Sequence, residues 1–108
     1  MDLVTRGEIW LASPDPTVGS EIKKTRPWLI VSPPEIHDEL RTVIAVPLTS
    51  GGRPAPYRIS VHFQDKDGLV LLDQIRALDR QRLIRPLGRL DPEKLSASLA
   101  ILGEMFSE

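Results

Sequence analysis

Tyr57-Arg58-Ile59-Ser60-Val61-His62-Phe63 alternates without a break, with Tyr57, Ile59, Val61 and Phe63 on one side and Arg58, Ser60 and His62 on the other. A period of two marks a β-strand with one buried face and one wet face. Before it, Ser50-Gly51-Gly52-Arg53-Pro54-Ala55-Pro56 reads as a loop, and after it Gln64-Asp65-Lys66-Asp67-Gly68 reads as a turn. Further upstream, Thr42-Val43-Ile44-Ala45-Val46-Pro47-Leu48 is a strand in which Pro47 requires an edge, a bulge or the strand's end. Trp28-Leu29-Ile30-Val31-Ser32 is a buried strand between Pro27 and Pro33-Pro34, and Glu8 to Ala12 is another, stopped by Pro14 and Pro16. The stretch between Pro34 and Arg41 reads as a polar connection holding His37, Asp38 and Glu39. Downstream, Leu69-Val70-Leu71-Leu72 continues towards Leu78, and Leu83 to Leu90 is a last strand interrupted by Pro86 and Gly88.

The C-terminal end changes period. Asp91 suits an N-cap, Pro92 the first helical position, and Glu93 the positive end of the helix dipole. Leu95, Leu99, Leu102 and Phe106 recur at helical spacing and are expected to pack on the sheet. Ile101 and Met105 add a second apolar edge, which hints at a dimer contact. Five to seven short strands followed by one helix give a β-rich α+β class, a compact curled antiparallel sheet or small barrel.

The chain has 108 residues, which suits one domain over 1–108 with a modest core. Without cysteine there is no disulfide framework, thiolate metal site or thiol nucleophile. No apolar run approaches the ~20 residues of a membrane span. The first residues lack a signal-peptide pattern, so a cytoplasmic location is expected. The formal net charge of −1 hides an uneven distribution: residues 1–22 and 91–108 each carry −3, and residues 23–90 carry +5. Ten of the 14 basic residues are arginine, whose planar fork suits phosphate; salt-bridge networks and codon bias also favour it.

Phosphate-cradling loops, dinucleotide fingerprints, zinc-type histidine pairs and nucleophile elbows are missing from the sequence, so no metal or cofactor is expected. His37 and His62 both read as solvated surface residues without a carboxylate partner. Three segments could carry chemistry. Val18 to Pro27 ends on Arg26 at a strand mouth, either as an anion clamp or paired with a nearby carboxylate. Thr49 and Ser50 place hydroxyls at a strand end, where such groups also satisfy turn backbone. In Leu72-Asp73-Gln74-Ile75-Arg76, Asp73 pairing Arg76, or Gln74 bonding backbone, is the default.

Arg6-Gly7-Glu8-Ile9-Trp10, Pro16 to Glu21, Lys24-Thr25-Arg26-Pro27, Pro47-Leu48-Thr49-Ser50, Asp73-Gln74-Ile75-Arg76 and Asp79 to Leu83 follow one another in a recognisable order. In this they resemble the MazF/PemK/Kid family of type II toxin endoribonucleases, over nearly the whole chain. The resemblance implies an SH3-like antiparallel β-barrel with a C-terminal helix packed on it, working as a homodimer. It implies metal-independent, sequence-selective cleavage of single-stranded RNA, chiefly mRNA, and neutralisation by a cognate antitoxin with an acidic, disordered segment.

Arg26 matches the family's catalytic arginine and Thr49 its threonine, while Ser20, Glu21 and Gln74 match positions lining the RNA groove, with Lys24 a further substrate contact. Trp28 departs from the pattern, which has a small aliphatic residue there, and puts strand packing in question. Arginine is a poor general base, so Glu21 is the candidate base, or else a carboxylate paired with Lys23 or Lys24. The alternatives are a non-catalytic CcdB-like toxin that binds a topoisomerase, and a plain nucleic-acid-binding barrel. Against the latter stand only five aromatic residues, most of them expected in the core.

Overall fold

The computed structural model describes residues 3–14 and 25–108. Among these the elements run β1 (Glu8–Ala12), β2 (Arg26–Ile30), α1 (Pro34–Glu39), β3 (Thr42–Ser50), β4 (Arg58–Phe63), β5 (Lys66–Leu71), β6 (Arg76–Asp79), β7 (Leu83–Arg89) and α2 (Pro92–Met105). Short 3-10 turns, Leu72–Gln74 and Arg80–Arg82, flank β6. All pairings are antiparallel, in the order β4-β5-β3-β2-β1-β7, with β6 joined to β3. The expected β-rich α+β class with a C-terminal helix is what forms. The path ends on β4 and β7, which do not pair among the described residues, so the barrel is not fully closed.

β3 organises the sheet. On one side it pairs with β2 over Ala45–Pro47. On the other it pairs with β6 over Thr42–Ala45 and then with β5 over Leu48–Ser50. Pro47 falls in the gap between β6 and β5, where its missing N–H costs no ladder bond. That is how a fully buried proline sits inside a strand that runs on to Ser50.

Successive side chains of β2 and β3 enter two different cores. Leu29, Val31, Val46 and Leu48 join Ile9, Val61, Val70 and Leu72 in one cluster, closed by Leu102 of α2. Trp28, Ile30, Val43 and Ala45 join Trp10, Ala12 and Leu78 in the other. Burial on both faces explains why these strands read as apolar runs while β4, with one wet face, alternates. Trp28 is 4% exposed and faces Trp10 across the β1–β2 ladder, so the substitution flagged in the sequence is accommodated.

The helix α2 begins as expected, with the Asp91 carboxylate accepting from the Lys94 N–H at 3.4 Å. Phe106 does not pack on the sheet: it caps the helix C-terminus and is 70% exposed. Three other expectations are corrected. The connection after Pro33 contains α1, a six-residue helix with proline at its start. Tyr57 is not in the strand; it turns with φ 65° and stands exposed before β4. The turn between β4 and β5 is two residues long, Gln64 and Asp65 at φ 53° and 61°, and β5 already begins at Lys66.

Candidate active site

Arg26 opens β2 and is anchored by pairing with Ala12 of β1. The β2–β3 register runs Ile30↔Ala45, Leu29↔Val46, Trp28↔Pro47. Continued by two residues, it sets Arg26 across from Thr49. Val31, just past β2, donates its N–H to the Ile44 carbonyl at 2.9 Å, so alternate residues from there back along β2 to Pro27 direct their N–H towards β3. Pro27 has none to give, and the ladder stops there. The strands part, and between them opens a cavity of about 390 Å³ lined by Arg26, Pro27, Leu48, Thr49 and Ser50.

The opposite wall is the β4–β5 hairpin. Val61 and Phe63 supply an apolar surface, and Gln64, Lys66, Asp67 and Gly68 supply the rim. β5 approaches β3 closely here: Ser50 pairs with Gly68, and any Cβ on Gly68 would lie 1.9 Å from the Thr49 carbonyl oxygen, far inside contact distance. Gly68 therefore belongs to the strand and not to the turn, because only glycine lets the two backbones meet there. A second cleft of about 450 Å³, lined by Gly51, Gly52, Ser60, His62 and Lys94, adjoins the first and shares Val61, Asp67 and Gly68 with it.

Of the residues singled out in the sequence, Arg26 and Thr49 come together in one cavity. Among the described residues Arg26 has no carboxylate partner and the Thr49 hydroxyl no hydrogen bond, so neither is spent on local structure. Ser20, Glu21 and Lys24 lie outside the described residues. Gln74 sits exposed in the 3-10 turn after β5 and does not line the cavity. Asp73 beside it pairs with Arg58, not Arg76, through two bonds of 2.9 Å. That bidentate contact holds the Asp73 carboxyl below the usual carboxylate range and raises Arg58.

Both histidine expectations are corrected. His37 is 3% exposed: its Nδ1 bonds the Val4 carbonyl at 2.8 Å and its Nε2 meets the Ser32 hydroxyl. The Ser32 oxygen also accepts from the Ile44 N–H at 2.9 Å, so the His37 ring is held at both nitrogens within a buried hydrogen-bond network. His62 is exposed but has a carboxylate partner, Asp67, 2.8 Å away across the hairpin register. Among the described residues no group of three His, Asp or Glu side chains could hold a metal ion. No helix of the described residues is long and apolar enough to cross a membrane.

Phe63, Gln64, Lys66 and Asp67 were missed in the sequence. Their signal is the run Gln64 to Gly68, read as a turn; shifting the turn to Gln64-Asp65 would have set Lys66 and Asp67 on a strand beside β3.

The chain and its fold have parallels among known proteins. The chain is 44% identical over 79 residues to Endoribonuclease PemK of Escherichia coli, a match covering 68% of this chain and 59% of that protein. MazF in the MazE-MazF complex of Deinococcus radiodurans superposes with a TM-score of 0.83 at 25% identity, over 97% of this chain and 96% of that one. An endoribonuclease of a mycobacterial species, solved with its cognate antitoxin, superposes with a TM-score of 0.76 at 26% identity, over 94% and 92% of the two chains. Residues 5–106 match the family model of PemK-like, MazF-like toxins of type II toxin-antitoxin systems, and the chain belongs to that family.

Proposed function

We propose that the chain is a type II toxin acting as a metal-independent, sequence-selective endoribonuclease on single-stranded RNA, chiefly mRNA. The observation that carries this reading is the meeting of Arg26 and Thr49, from two strands parted by Pro27, in one open cavity. RNA brings its own nucleophile, the 2′-hydroxyl, so the protein must align it with the leaving 5′-oxygen and stabilise charge on phosphorus. The Arg26 guanidinium donates two parallel hydrogen bonds to the phosphoryl oxygens, and the Thr49 hydroxyl donates a third. The apolar wall of Val61 and Phe63 faces the bases. The products are a 2′,3′-cyclic phosphate and a 5′-hydroxyl end.

The names of the relatives support the same reading, and at 44% identity a PemK endoribonuclease weighs against the topoisomerase-binding alternative. Ser20, Glu21, Lys24 and Gln74 are proposed as further RNA contacts. The mycobacterial relative was solved with its cognate antitoxin, and the Deinococcus MazF with MazE. For this chain the partner is an antitoxin whose acidic, disordered segment folds over the Arg26 cavity. The working unit is a cytoplasmic homodimer of one domain per chain.

The test is digestion of a long unstructured RNA in excess EDTA by the wild-type protein and by Arg26→Ala. Discrete cuts with 5′-hydroxyl ends, lost in the variant, are expected. Intact RNA across substrates containing all short sequence words would overturn the reading and turn attention to a supercoiling assay.

A further inference from the structure

Attack by a 2′-hydroxyl needs a proton acceptor, and neither Arg26 nor Thr49 supplies one: guanidinium stays charged and a hydroxyl is too weak a base. The cavity narrows the choice. Among its described lining residues the ionisable groups are Arg26, Lys66 and Asp67, and Asp67 is the only carboxylate. Its position follows from the short turn: with Gln64 and Asp65 alone reversing the chain, Asp67 pairs with His62 and lies next to Gly68, the residue that touches the Thr49 backbone. Its Oδ1 is held by His62 Nδ1 at 2.8 Å.

We propose that Asp67 is the general base of the site and that His62 is its positioning residue. The inference rests on the ribonuclease reading above. With the imidazole donating from Nδ1 to Oδ1, the carboxylate is fixed in orientation and Oδ2 is left to meet the substrate. The O2′–H bond breaks and its proton passes to the Asp67 carboxylate. The O2′–P bond forms as the P–O5′ bond breaks, and O5′ takes a proton from solvent in the open cavity. Asp67 then returns its proton to water. The side chain is 93% exposed, so it is free to be covered by RNA, and its replacement leaves the fold intact.

The ionisable groups around Asp67 are His62 from β4, which is bonded to its Oδ1, Lys66 from β5 and Arg26 from β2 in the same cavity lining, and Lys94 of α2 in the adjoining cleft.

Asp67→Asn, Asp67→Glu, His62→Ala, His62→Asn and Arg26→Ala are compared with wild type on one RNA, over a range of pH. Binding is read separately with the same RNA carrying a single 2′-deoxy residue at the cut. Asp67→Asn is expected to lower kcat by about 10²-fold, the scale of a lost general base, and to lose the acid limb of the profile. Binding of the deoxy RNA stays within about twofold. Asp67→Glu restores part of the rate. His62→Ala lowers kcat several-fold and shifts the acid limb, and His62→Asn, which keeps a donor near the Nδ1 position, recovers it.

Asp67→Asn cutting at the wild-type rate with an unchanged pH profile would overturn the assignment, as would a loss of deoxy-RNA binding equal to its loss of rate. Either result, with Arg26→Ala still inactive, leaves the ribonuclease reading standing. A wild-type protein that leaves RNA uncut removes both.

Discussion

Arg26 and Asp73 show how much a single side chain's surroundings decide. Arg26 carries a planar guanidinium and, among the described residues, has no carboxylate partner to occupy it. On the proposed mechanism Arg26→Ala lowers cleavage about 10²–10³-fold, the cost of one main oxyanion donor. Arg26→Lys is also severely impaired because it keeps charge and loses the fork; steady-state cleavage of a fluorogenic RNA measures both. Thr49→Ala loses less. Asp73, by contrast, is spent on Arg58. Because the pair lowers the Asp73 pKa in the folded state, its stabilisation is present above the ordinary carboxylate value and is lost as pH falls through the lowered one. Asp73→Asn therefore melts below wild type at neutral pH and at pH ~5, and the gap closes on acidification below about 3.9. With the two side chains 34% and 36% exposed, solvent screens the pair and the gap is small.

Among the elements, the β4–β5 hairpin carries the clearest strain. Its two turn residues both take a left-handed backbone, which suits Asn-Gly far better than Gln-Asp. Asp65→Gly should raise stability by about 1 kcal/mol, seen as a higher melting temperature with cleavage unchanged, since Asp65 does not line the cavity. The same hairpin shows where sequence reading reached its limit. The alternation over 58–63 was legible because one face is wet and one is buried. The turn was misplaced because Gly68 resembles a turn glycine until the backbone of Thr49 is seen against it. α1 was not legible because six residues are too few to show a helical period. His37 was misjudged because its partners, Ser32 and the carbonyl of Val4, are set by tertiary packing. For the site, Arg26 and Thr49 could be named from motifs, whereas Lys66 and Asp67 depended on a register that no motif announces.

At the level of the whole molecule, two cores share one set of strands and a single helix closes the larger of them. Leu102 is 8% exposed and joins α2 to that cluster. Leu102→Ala should cost about 2–5 kcal/mol in a urea melt, through the lost burial and the cavity it leaves. α2 stands beside the second cleft through Lys94, so the same change is expected to loosen the hairpin's outer face before the cavity of Arg26. The contact between Gly68 and Thr49 has a further consequence, in genetics. Every missense codon at position 68 adds a Cβ that the facing backbone cannot accommodate. On the proposed function, a cell forced to express this protein without its antidote has, in one codon, many single-base routes to survival. Loss-of-function suppressors should accumulate there, although residue 68 bears no side chain at all.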